Sequence, residues 1–165
     1  MILMKNIVVA TDFGEASDAA LAYGYALART FGSTLHLLHV AENVYLHSVA
    51  GESYAAVFPD LQRDVEDAAR RQLEERLIDN DPDAVPTNPV VLVSNATAET
   101  IVDYARHHSI DLIVMGTHGR AAVAHLLMGS VAERVVRTAS CPVLTVRHPE
   151  REFVVPDTLV AVSKA

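Results

Sequence analysis

Half of the 165 residues are hydrophobic, which supplies one compact core and leaves no room for two full domains. A formal net charge of −8 works against a broad grip on nucleic acid, whose phosphates call for many facing cations. A lone cysteine, Cys141, excludes an intramolecular disulfide framework, and no apolar run approaches the roughly 20 residues of a membrane-spanning helix, so the expectation is a cytoplasmic chain without membrane insertion or a signal peptide.

The run from Lys5 to Ala10 is apolar after its first two residues and reads as a buried strand, ending at Thr11-Asp12-Phe13. Ala16, Ala20, Tyr23, Leu27 and Phe31 advance by three or four, predicting a helix from Glu15 to Phe31 with Gly32 as its stop. A second strand follows over 34–40. In it His36 and His39 fall on opposite faces and make a poor shared metal site. Residues 43–59 have no periodicity and read as a long surface connection. Asp60 caps a predicted helix to about Asp79, with Leu61, Val65, Ala69, Leu73 and Leu77 inward. Glu66 with Arg70 and Asp67 with Arg71 are i,i+4 pairs of a solvated face. Asn80-Asp81-Pro82-Asp83 breaks that helix, and Pro86 to Pro89 lead into a strand over 90–93. The next helix, 97–108, turns Ile101, Val102 and Ala105 inward, and Arg106, His107 and His108 suit the negative end of its dipole.

The last third carries the chemistry. The apolar run Ile110 to Met115, interrupted by Asp111, reads as a strand covered on both faces, and it opens directly into Gly116-Thr117-His118-Gly119-Arg120. Gly116 and Gly119 let backbone N–H groups approach a ligand closely. Gly129-Ser130 then precedes Val131, Ala132, Val135, Val136 and Ala139, spaced as one face of a helix whose N-terminus suits an anion. The spacing, Gly-x2-Gly-x9-Gly-Ser, is neither the dinucleotide fingerprint nor the P-loop. A ligand-free explanation competes: Ser130 and Glu133 make a capping box, and Gly116 and Gly129 serve as tight turns. A closing strand runs over 143–147. Strands alternating with helices imply a parallel sheet with helices on both faces, whose ligands sit beyond the carboxyl ends of the strands.

Taken together, the strand ending in Asp12, the strand Asp111 to Gly116, the three-glycine loop with Ser130 and the closing Cys141-Pro142-Val143-Leu144 resemble the ATP-binding branch of the universal stress protein family, over roughly Lys5 to Arg147. The resemblance implies an α/β fold, a doubly wound, Rossmann-like five-stranded parallel sheet of order 3-2-1-4-5, formed by residues 1–148, with 149–165 as a C-terminal extension. It implies that Ala10 and Asp12 contact adenosine, Asp12 accepting from ribose hydroxyls, and that the Val40 backbone meets the adenine edge. Met115, Gly116, Gly119, Gly129, Ser130 and Val131 match the phosphate side, and Arg120 and His118 lie in the same loop. ATP with Mg²⁺ is the implied cofactor, without a side-chain cage for the metal. A homodimer through the strand 143–147 and a regulatory protein partner are implied as well. Two departures stand out: Asn95 occupies a position where glycine is common, and Arg151 to Ala165 runs past the usual end with an apolar content that calls for cover.

No P-loop lysine, catalytic base or kinase signature accompanies the loop, so an ATP-binding regulator of stress adaptation is expected rather than an efficient phosphotransferase. A slow ATPase, or a switch autophosphorylated at Ser130 or a nearby threonine, is the alternative, and a nucleotide-free version of the same fold is the third.

Overall fold

The computed structural model describes residues 2–49, 52–77, 85–117 and 128–148. In chain order they form β1 (Asn6–Ala10), α1 (Glu15–Phe31), β2 (Thr34–Ala41), one 3-10 turn (Val44–Leu46), the short strands β3 (Ser48–Val49) and β4 (Glu52–Ser53), α2 (Tyr54–Val57), α3 (Leu61–Leu77), β5 (Thr87–Val93), α4 (Thr97–His107), β6 (Leu112–Gly116), α5 (Ser130–Thr138) and β7 (Val143–Val146).

Strand β1 takes the centre because both of its faces are apolar. Ile7, Val8 and Val9 are fully buried, and burial of each such side chain stabilises the fold by roughly 1.5–3 kcal/mol. Around it the main sheet runs β5-β2-β1-β6-β7, every neighbouring pair parallel, which is the order 3-2-1-4-5 when only its own five strands are counted. Alternation then sorts the core. Val8, Ala10, Leu38, Ile113 and Met115 meet α4 and α5 through Ala98, Ile101, Tyr104, Ala132 and Val135. Ile7, Val9, Leu35, Leu37 and Val114 meet α1 and α3 through Ala20, Leu21, Ala28 and Leu73.

Helix α1 stops where expected: Gly32 adopts φ 65°, the left-handed conformation open to glycine, and its N–H donates to the Ala28 carbonyl. The described residues of 43–59 carry more regular structure than their composition implies, forming a 3-10 turn, the antiparallel β3–β4 pair and a short helix. Local hydrogen bonds account for this: Asn43 Oδ1 accepts from Tyr45 N, and the Tyr45 hydroxyl donates to the Pro59 carbonyl. Asp60 holds the cap position of α3 through its backbone, its carbonyl accepting from Asp64 N.

The inward stripes are narrower than the spacing predicts. On α3 only Ala69 and Leu73 of the five expected residues are buried, and Gln62 joins them because its side-chain oxygen accepts from Val44 N. On α5 Ala132 and Val135 are buried, whereas Val131 and Val136 are exposed by 36% and 45%, so the buried stripe is one residue wide at each turn. Asp67 pairs with Arg70, as does Glu66, so the expected Asp67–Arg71 pair is replaced. Strand β5 starts three residues before the expected Val90 and includes Pro89, which a strand at the edge of a sheet tolerates. The rings of His107 and His108 donate to the carbonyls of Asp103 and Tyr104, in keeping with a role at the helix end. The 149–165 extension lies outside the described residues.

Candidate functional site

Strand order reverses between β1 and β6, because the chain continues to β2 and β5 on one side and to β7 on the other. Ala10 and Met115 are register partners there, and both are buried. Beyond them Thr117 N donates to the Val146 carbonyl and Gly129 N donates to the Thr117 carbonyl at 2.6 Å. That bond clasps the two ends of the intervening segment, bringing the start of α5 to the end of β6. The Asp12 turn and the Gly129-Ser130 helix start, more than a hundred residues apart in sequence, thus open at the same switch point.

A proton-consistent chain of hydrogen bonds builds the Asp12 turn. Ser17 Oγ donates to the Gly14 carbonyl, so the buried Thr11 hydroxyl donates to Ser17 Oγ while accepting from Phe13 N. Asp12 Oδ1 accepts from Gly14 N at 3.1 Å, an Asx turn. Phe13, in between, has φ 64°, a conformation that costs a non-glycine residue roughly 1–2 kcal/mol. Its ring lies against His39, centroids 4.3 Å apart, and under the Arg76 guanidinium at 5.0 Å. His39 Nδ1 in turn donates to the Thr11 carbonyl at 2.8 Å. Thr11, Phe13, Ser17, His39 and Arg76 were not legible as site-forming residues. The turn-forming Thr-Asp-Phe-Gly was a usable signal, but nothing in the sequence ties Arg76 to it.

At the other side of the crevice, α5 is capped by Gly129, not by Ser130. Glu133 N donates to the Gly129 carbonyl, and Gly129 as the cap residue has no side chain to cap the end, so the capping box expected of Ser130 and Glu133 does not form. Ser130 is exposed, and the N–H groups of Ser130, Val131 and Ala132 have no acceptor within the helix. Gly129 lies at φ −72° and ψ 155°, open to any residue, so its backbone does not call for glycine. Gly116 has a structural reason of its own: a Cβ there would approach the Ala16 backbone to 2.9 Å, so the glycine lets α1 close on β6. Val40, half-buried on β2, packs on the α4 and α5 side of the core. Gly119, Arg120 and His118 lie outside the described residues. Among the described residues no group of three or more His, Cys, Asp or Glu could hold a metal ion.

Two histidines of β2 diverge as alternation requires. His36, on the α4 face, has Nδ1 2.7 Å from the Tyr104 hydroxyl, and Tyr104 stacks on His108. Burial, and secondarily the facing His108, hold the His36 pKa below its ordinary value, and burial raises that of Tyr104. Burial likewise pushes the Cys141 thiol up. Along this face runs an open groove of about 510 Å³ between β5 and α4, and none of the candidate site residues lines it.

A doubly wound parallel sheet with an acidic turn and a helix N-terminus at its switch point defines the class: an α/β protein whose crevice suits a ligand with hydroxyl and anionic ends. The profile of the Universal stress protein family matches residues 4–147, and the chain belongs to that family. A universal stress protein of Thermus aquaticus is 35% identical over 148 residues, covering 88% of this chain and all of that one. The solved universal stress protein UspA of Lactobacillus plantarum, 26% identical, superposes with a TM-score of 0.72 over 89% of this chain and 100% of its own. Two further structures share the fold at 23% and 20% identity, with TM-scores of 0.61 and 0.54: a universal stress protein in complex with cAMP, and one from Archaeoglobus fulgidus in complex with dAMP. They cover 88% of this chain each, and 98% and 99% of their own. No helix among the described residues is long and apolar enough to cross a membrane.

Proposed function

We propose that this chain is a cytoplasmic ATP-binding regulator of stress adaptation, acting as a homodimer whose state or partner contacts respond to ATP. The observation that carries the nucleotide is the convergence of the Asp12 turn and the N-terminus of α5, which begins on Gly129, on one crevice. A carboxylate at the end of β1 accepts ribose hydroxyls, and the first-turn N–H groups of α5 with the Ser130 hydroxyl receive phosphate. Gly119 and Arg120 complete the phosphate side, Val40 and Ala10 the adenosine side, and Mg²⁺ enters with the triphosphate. Cyclic AMP and dAMP, the ligands of two proteins of this fold, belong to the same chemical class. The partly exposed edge strand β7, bonded to β6, is the dimer seam, and the 149–165 extension contributes to dimer stability. A second reading, slow autophosphorylation, gains support from Ser130, whose exposed hydroxyl is released from capping.

Titration of the purified, nucleotide-stripped protein with Mg·ATP tests the assignment. One ATP per chain is expected, with Asp12→Ala and Ser130→Ala each weakening binding about tenfold or more, as loss of a charge-assisted hydrogen bond does. Undiminished affinity in both variants would overturn the site. Mass spectrometry of the same samples reads phosphate on Ser130, and an unmodified chain excludes autophosphorylation.

A further inference from the structure

Arg76 comes from the last turn of α3, yet it reaches the turn that carries Asp12. Its Nε donates to Asp18 Oδ1 at 2.7 Å and its Nη2 to Asp18 Oδ2 at 3.4 Å, joining α3 to the first turn of α1. The same Nη2 donates to the Phe13 carbonyl at 3.3 Å, and the guanidinium lies over the Phe13 ring. His39 holds the ring from β2 and ties down the Thr11 carbonyl. The one residue of this turn in a left-handed conformation is therefore gripped from two other elements, at its ring and its carbonyl. A bulky residue returns to the broad allowed region when nothing holds it, and Phe13 follows Asp12 directly, so such a return would re-aim the Asp12 carboxylate.

We infer that Arg76 is a positioning residue of the nucleotide site: clamping Phe13 with His39, it fixes the Asp12 carboxylate for ribose hydroxyls and links α3 to that subsite. This rests on the ATP reading above. Arginine suits the task because its planar fork serves Asp18, the Phe13 carbonyl and the ring face together, which a lysine ammonium cannot do. The phosphate subsite, built on α5 across the crevice, does not depend on the clamp.

The test compares ATP with 2′,3′-dideoxyATP on the full chain. The wild type should prefer ATP by about tenfold or more, the effect of hydrogen bonds to a charged acceptor. In Arg76→Gln the preference should fall toward one while dideoxyATP affinity is kept, and Arg76→Lys should restore it only in part. Arg76→Gln should also add nothing on an Asp12→Ala background. Phe13→Ala, which removes the ring that is gripped but keeps the Cβ that disfavours the left-handed backbone, should lose the preference as well and serves if Arg76→Gln folds poorly. A wild-type preference that survives in both Arg76→Gln and Phe13→Ala overturns the clamp and leaves the ATP site standing. Equal weakening of both nucleotides in Arg76→Gln assigns Arg76 a merely structural role and also overturns it. A wild type that binds neither nucleotide overturns the ATP reading, and the clamp with it.

Discussion

His36 shows how one buried residue writes a pH dependence into the fold. Tyr104 of α4 and His108, the residue that ends it, face it, and Asn88 is its register partner on β5. With its folded-state pKa held below 6.5, the native protein binds fewer protons at this ring than the unfolded chain does. The His36 contribution to stability is therefore intact above pH 6.5 and falls as pH drops from there toward the lowered pKa, below which the loss levels off. Urea unfolding between pH 5 and 8 should show this loss, and His36→Gln should flatten the profile in that window; an unchanged slope in the variant would count against His36 as its source. Alternation placed His36 on the opposite face from His39, but which aromatic residue of a distant helix met it was not in the spacing.

At the scale of elements, α1 approaches the sheet closely because it presents small residues. A Cβ at Gly24 would overlap Val9 Cγ2, and Val9 is a fully buried, χ1-stiff side chain in the central strand. Gly24→Ala thus sets a gain in helix propensity of about 1 kcal/mol against overpacking of about 1–3 kcal/mol, and the overpacking prevails because Val9 has nowhere to turn. Calorimetry should record a lower Tm; a raised one would mean that the helix shifts at little cost. Gly116 works in the same way against Ala16, so a glycine legible as a loop residue is explained by packing. The α5 cap teaches the converse: Ser130 stood one residue too late for the box its spacing advertised, since the chain enters the helix from the bond between Gly129 and Thr117.

For the whole molecule, the five-stranded sheet leaves β5 and β7 at its edges, and they differ. Pro89 blunts β5, removing one backbone donor, whereas β7, Val143-Leu144-Thr145-Val146, has no proline and pairs among the described residues with β6 alone. The proposed dimer belongs on β7 for this reason. Sedimentation of the full chain should give a dimer, and removal of residues 149–165 should weaken it while ATP binding persists. An unchanged sedimentation coefficient per residue mass would separate the extension from the seam. Dimerisation and nucleotide binding occupy different ends of the structure in this view, the strand edge and the crevice, and either can fail alone.

Hydrophobic patterning by itself determined the five strands of the main sheet, the long helices and the parallel arrangement, because apolar runs and the period of 3.6 are local properties of the chain. Family resemblance supplied the strand order, and with it the meeting of Asp12 and Gly129-Ser130. Tertiary structure alone decided which atoms hold those residues in place: the Thr11–Ser17–Gly14 chain, the Phe13 conformation, the Gly129–Thr117 clasp and the reach of Arg76 across from α3. Each is a contact between groups whose separation in space has no counterpart in residue spacing, so a sequence pattern names the site and the packed fold aims it.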